Sequence, residues 1–189
     1  TSTQRVLEQS PKPPPIDPTR ARAALQRGQA ALERSELEAA LSAFQQAGQA
    51  DPSNIETFSY LGLIYRKLDR LAEAESALQQ ALALEPTRAV AWFQLAQVYG
   101  LQRDARRALG ALANTYRFAQ NPMRAEEILR NIAENEAADT LRNAALETLR
   151  LYRLPAEAVL VPPLPANPGI APPNIPPGPA RSRANRPSP

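Results

Sequence analysis

An acidic residue followed by proline recurs at a fixed interval: Asp17-Pro18, Asp51-Pro52 and Glu85-Pro86, each 34 residues after the last. A period of this length is the mark of a repeated helix-turn-helix unit, in which each hairpin buries its apolar face against the next. Between the markers, apolar residues fall at helical spacing. Phe58, Leu61, Leu63, Ile64 and Tyr65 cluster around Gly62, which predicts a first helix over 53–67. Leu71, Ala74, Leu78, Ala81 and Leu82 make one stripe, which predicts a partner helix over 70–84. Asp51 is expected to be the N-cap of the first of these, with Pro52 at the first helical position, where a missing N–H costs nothing. The same device is expected to open the helices after Asp17-Pro18 and Glu85-Pro86; glutamate is the poorer cap, but its charge suits a helix N-terminus.

Proline placement divides the chain. Of the 20 prolines, 5 lie within residues 11–18, 3 in the middle and 12 within 155–189. Residues 19–154 are therefore the segment able to build a core. An N-terminal arm (1–18) and a C-terminal tail (153–189) are expected to be disordered and extended. No run approaches the roughly 18 apolar residues of a membrane span, so the chain is not expected to cross a membrane. Net charge is only +3, and Arg181, Arg183, Arg186 and Glu157 place +2 of it within residues 155–189. A helical middle so near neutral argues against a nucleic-acid platform, which must neutralise many phosphates.

The chain has no cysteine and no histidine. That removes disulfides, thiolate nucleophiles, Cys/His metal sites and histidine acid–base chemistry. Only Lys12 and Lys67 could supply a lysine to carboxylate or serine chemistry. Lys12 sits in the proline-rich arm and Lys67 at an exposed helix end, so no enzyme and no cofactor are expected. Met123 is the single methionine. Cleavage of a secretory leader before Thr1 and trimming of an initiator are both open, with the lack of cysteine and the proline-rich ends tilting the reading towards an extracytoplasmic location.

Aligned at the 34-residue period, the second unit carries Phe58, Leu61, Gly62, Tyr65, Ala74, Leu78, Ala81 and Pro86. The third carries Trp92, Leu95, Ala96, Tyr99, Ala108 and Leu112, and the first Gly28, Ala40, Phe44, Ala47 and Pro52. This pattern resembles the tetratricopeptide repeat, with units at 21–54, 55–88 and 89–122 covering just over half the chain. Ala24, Arg27 and Ala31 depart from it in the first unit. In the third, Gly100 and Gly110 are expected to weaken the helices by roughly 1 kcal/mol each. The step from Pro86 to Pro122 is 36 residues rather than 34, so the second helix there, or its exit loop, is expected to be distorted. Beyond it, Ile128, Leu129, Ile132 and Ala133 form one stripe and Leu141, Ala144, Ala145, Thr148 and Tyr152 another. A divergent hairpin over 122–152 is therefore expected to cover the third repeat. The fold class expected is all-α: an α-solenoid of three tetratricopeptide repeats plus a divergent C-terminal helical hairpin, together a domain over 19–152.

The resemblance implies a non-catalytic adaptor or scaffold that holds a peptide segment of another protein on a concave face and supports complex assembly. Family positions two, five, nine, twelve and thirteen map to Arg22, Leu25, Gln29, Leu32 and Glu33, then to Glu56, Ser59, Leu63, Arg66 and Lys67, then to Val90, Phe93, Gln97, Gly100 and Leu101. A basic pair (Arg66, Lys67) beside apolar residues would suit an acidic partner segment with an apolar anchor, extended or helical. The pair alone also reads as an ordinary solvated helix end. Trp92 fills the packing position, so Phe93 must point elsewhere. The family's carboxylate clamp needs lysine, asparagine and arginine where this chain has Leu25, Gln29, Tyr60, Val90 and Gln94; that clamp is absent. Pro162-Pro163-Leu164-Pro165 resembles a ligand of proline-binding domains, though such matches arise easily in proline-rich sequence and a plain spacer is the better reading. The alternatives are a structural module dimerising through residues 122–152 and a subunit recruiting substrate to an enzyme.

Overall fold

The computed structural model describes residues 16–153. Among them the secondary structure is helical, without strands, in eight helices: α1 (Pro18–Glu33), α2 (Leu37–Ala50), α3 (Ile55–Lys67), α4 (Leu71–Leu84), α5 (Ala89–Leu101), α6 (Ala105–Arg117), α7 (Pro122–Asn135) and α8 (Asp139–Arg153). The expected proline-rich arm and tail lie, but for residues 16–18 and 153, outside the described residues. The chain falls into two compact units, the first ending at Pro86 and the second beginning at Thr87.

In the first unit, α1 pairs with α2 and α3 with α4, and α2 also packs on α3. Small residues allow the close crossings. A Cβ built on Gly28 would lie 2.8 Å from the ring of Phe44, and one on Gly62 would lie 2.6 Å from Leu78. Phe44 and Leu78 are wholly buried, as are Ala24, Ala40, Ile64, Ala74 and Ala81. Ala24 and Ala31, which break the aromatic-and-leucine pattern of the first repeat, are buried too. The Phe44 ring lies over Gly28 of α1, the helix that carries them, and stacks on Tyr60 with centroids 4.7 Å apart.

The acid–proline pairs do not all act as expected. Asp17 does cap α1, its carboxylate accepting from the Arg20 N–H at 3.0 Å, with Pro18 in the first turn. Asp51 instead ends α2 in an extended conformation, and its carboxylate accepts from the backbone and hydroxyl of Ser53. The N-cap of α3 is Asn54, which accepts from the Glu56 N–H at 3.0 Å. Glu85 likewise closes α4, and α5 starts only at Ala89, after Arg88. A residue before proline is pushed out of the helical region, so in these two places the pair stops one helix rather than starting the next. This also accounts for the 36-residue step. Pro52 and Pro86 stand three residues ahead of a helix, whereas Pro122 is the first residue of α7, capped by Asn121. Of the two places where a distortion is expected, the helix is regular, α6 running unbroken to Arg117, and the difference lies in its exit loop, where Asn121 caps α7 and Pro122 begins it.

Each repeat turns at a residue with left-handed backbone: Ser35 (φ 59°), Asp69 (φ 58°) and Arg103 (φ 57°), again 34 residues apart. In all three the turn residue's N–H bonds back three residues (to Leu32, Arg66 and Gly100) and the next N–H bonds back five (to Ala31, Tyr65 and Tyr99). This is the Schellman closure of a helix end, normally served by glycine. Aspartate takes up the conformation readily, and arginine only at a steric cost. Arg103→Gly should therefore raise stability by about 0.5–1 kcal/mol, read as a higher urea midpoint with unchanged slope.

In the second unit α5 and α6 form a hairpin joined by a three-residue turn, and α7 pairs with α8. The divergent hairpin does pack on the third repeat, but chiefly through its second helix. α8 lies against both α5 and α6, while α7 meets α6 more sparsely. Leu141, Ala144, Ala145, Thr148 and Leu151 are buried along it, and the Thr148 hydroxyl donates to the Ala144 carbonyl at 2.8 Å, so that threonine does not break the stripe. Tyr152 packs on Tyr116 with ring centroids 4.3 Å apart and donates to the Ala113 carbonyl at 3.3 Å. Gly100 belongs to this contact: a Cβ there would lie 2.9 Å from Leu141 Cβ. It is a place of close approach rather than a weak point of the helix.

Candidate functional site

The residues expected to line a binding face stand on the first helix of each hairpin, and the two units present them separately. In the first unit, Arg22 and Leu25 come together at a cavity of about 240 Å³. Its wall is shared by Pro18 and Ala21 of α1, Ala47 and Asp51 at the end of α2, and Asn54 and Thr57 at the start of α3. Most of this lining is apolar, with the Arg22 side chain exposed and Thr57 only 1 % exposed. Asp51 spends a side-chain oxygen on Ser53 in the loop between α2 and α3, and Asn54 spends one on the Glu56 N–H in the first turn of α3, which fixes that wall. Asn54 and Thr57 were not among the expected site residues. Their positions follow from where α3 starts, and the acid–proline reading misplaced that start.

Gln29 is engaged within the protein, its side-chain amide donating to the Tyr60 hydroxyl at 3.4 Å. This bridges α1 and α3 one turn beyond Leu25. Glu33 and Glu56 are exposed and Ser59 and Leu63 half-buried. Arg66, half-buried, and Lys67, exposed, are the last two residues of α3. There a positive charge favourably meets the helix C-terminus. The cavity gathers Arg22 and Leu25; Glu33 at the end of α1 lies 11 residues beyond Arg22, about 16 Å along the helix.

In the second unit Val90, Phe93, Gln97 and Leu101 follow one another at helical spacing on α5. Val90 is 60 % and Leu101 49 % exposed, with Phe93 and Gln97 half-buried. Trp92 occupies the packing position, 8 % exposed, and Phe93 beside it is half-buried. Gly100 is removed from the expected set, because Leu141 of α8 covers it. Among the described residues no group of three acidic side chains could hold a metal ion, and no helix is long and apolar enough to cross a membrane.

Residues 55–88 match the tetratricopeptide repeat family. No curated protein matches the chain in sequence. Solved structures do match in fold. The first tetratricopeptide domain of Spaghetti (RPAP3), bound to the HSP90 peptide SRMEEVD, is 20 % identical with a TM-score of 0.57, over 63 % of this chain and 97 % of that one. The TPR2B domain of yeast Sti1, in complex with pHsp70, is 19 % identical with a TM-score of 0.54, over 68 % and 98 %. MamA is 22 % identical with a TM-score of 0.57, over 78 % and 80 %. At these identities the likeness is one of fold. Residues 55–88 thus carry the repeat, and the described helices share the tetratricopeptide fold, with hairpins that turn three times in one geometry at one period.

Proposed function

We propose that this protein is a non-catalytic adaptor that holds a peptide segment of a partner protein against the first helices of its repeats and so supports assembly of a complex. The observation that carries the reading is the cavity at the start of α1, where Arg22 and Leu25 meet the first turn of α3. A mostly apolar hollow of this size takes one aliphatic side chain, and an arginine at its rim favours an acidic neighbour on the same peptide. The similar domains of RPAP3 and Sti1 hold chaperone peptides, which supports peptide capture as the use of the fold. The peptide here is of another kind, because Leu25, Gln29 and Tyr60 stand where a carboxylate clamp requires cations and asparagine.

Partners captured from the native host by the immobilised wild-type chain should be compared with those captured by Arg22→Glu/Leu25→Ser and by Arg66→Glu/Phe93→Ala. A protein held by the wild type should be lost, or bound at least tenfold more weakly, with the first variant, as expected when a central anchor is removed. Helical circular dichroism should be unchanged, since neither residue is in the core. Identical captures by all three proteins would refute the reading.

A further inference from the structure

α5 holds no charged residue over its 13 positions, yet it leaves Val90 and Leu101 largely open to water. Isolated exposed apolar groups are unremarkable. Here Val90, Phe93, Gln97 and Leu101 recur at i, i+3, i+7 and i+11 and make a single stripe. Its flank is α8, whose Leu141 rests on Gly100. We propose that this stripe is covered by a segment of the same chain, Ala158–Pro165, which lies outside the described residues. The inference rests on reading the stripe as a binding face, and it makes the tail a competitor for that face.

Three observations select this occupant. The first is where α8 ends. It starts with Leu141 at Gly100, near the end of α5, and finishes with Tyr152 against Tyr116 and Ala113, late in α6. Because α5 and α6 are an antiparallel hairpin, late α6 is level with the beginning of α5. The chain therefore leaves α8 at the Val90 end of the stripe. The second is reach. Val90 to Leu101 spans 11 residues of helix, about 16 Å. At roughly 3.1 Å per residue, four residues (Leu154–Glu157) are enough for a spacer of up to about 12 Å, and the eight residues Ala158–Pro165 are enough to reach about 25 Å. The third is chemistry. Ala-Val-Leu-Val-Pro-Pro-Leu-Pro is uncharged like the helix it would meet. Its prolines reduce the ordering cost, and an aromatic ring (Phe93) beside an amide donor (Gln97) is the sort of surface such segments dock on.

The absence of cysteine allows a clean test. A nitroxide is attached to the full chain at Ala166→Cys and amide signals are recorded by NMR. Docking in cis should broaden the amides of Val90, Phe93, Gln97 and Leu101 to less than half intensity, most strongly at Leu101, and Leu160→Asp/Leu164→Asp in the tail should restore them. Uniform or absent broadening overturns the proposal. Broadening that persists when spin-labelled chain is mixed with separately isotope-labelled chain assigns the contact to a second copy and overturns it as well. No partner enters this measurement, so its failure leaves the adaptor reading to the capture experiment.

Discussion

Phe44→Ala is expected to cost about 3–5 kcal/mol, the usual loss when a buried aromatic is truncated. The ring has 0 % exposure, stacks on Tyr60 of α3 and fills the hollow beside Gly28 of α1. It thus ties three helices together, and no nearby side chain can replace it where Ala24 and Ala31 are already small. A domain of this size has roughly 5–15 kcal/mol in total, so the variant should lose much of its urea resistance. A double-mutant cycle makes the prediction specific. Gly28→Ala in the wild type places a Cβ 2.8 Å from the ring and should cost about 1–3 kcal/mol by overpacking. In the Phe44→Ala background the same methyl enters a vacated space, and its cost should vanish. Equal costs in both backgrounds would show that Gly28 is not held small by Phe44.

Gly100→Val should unseat α8. The new Cβ would meet Leu141 at its own Cβ, 2.9 Å away, which is close to the backbone and cannot swing aside as a side-chain tip can. Overpacking of this kind costs about 1–3 kcal/mol, and the helix can escape it only by moving off α5. Tyr152 reports the movement. Burial holds its phenol at about 12, against an ordinary 10.0, with Tyr116 adding to the rise and Arg117 opposing it. In the variant, the absorbance titration of this tyrosine should fall back towards its ordinary range. The raised value also predicts a pH dependence in the wild type. Below pH 10 both folded and unfolded chains keep the proton, and the contribution is fully present. Between about pH 10 and 12 the unfolded chain ionises first, so stability is lost as pH rises. Tyr152→Phe should remove that part of the fall. An unchanged titration in Gly100→Val, with α8 still protected from hydrogen exchange, would contradict the contact.

The helical hairpins, their period and their crossing points were legible in the residues themselves. A 34-residue recurrence and a glycine or alanine opposite a large residue, as with Gly62 and Leu78, are matters of spacing and size that sequence displays directly. Other features needed the neighbours in space. Whether Asp51 starts a helix or stops one depends on the course of the chain beyond Pro52, and both roles suit an aspartate before proline. Left-handed turns at Ser35, Asp69 and Arg103 carry no glycine to announce them; they arise because two packed helices must be joined in three residues.

The site divides along the same line. Leu25 and Arg22 were named from their repeat positions, but Asn54 and Thr57 join them only because α3 begins where its packing on α2 allows. The stripes of α7 and α8 look equally able to cover the third repeat. Leu141 and Tyr152 fit against Gly100 and Tyr116, and that match of shapes, which no periodicity encodes, decides that α8 lies closest. Local spacing determined that this chain is a series of helical hairpins; complementarity between distant side chains decided which helix meets which, and so which apolar surface is left exposed.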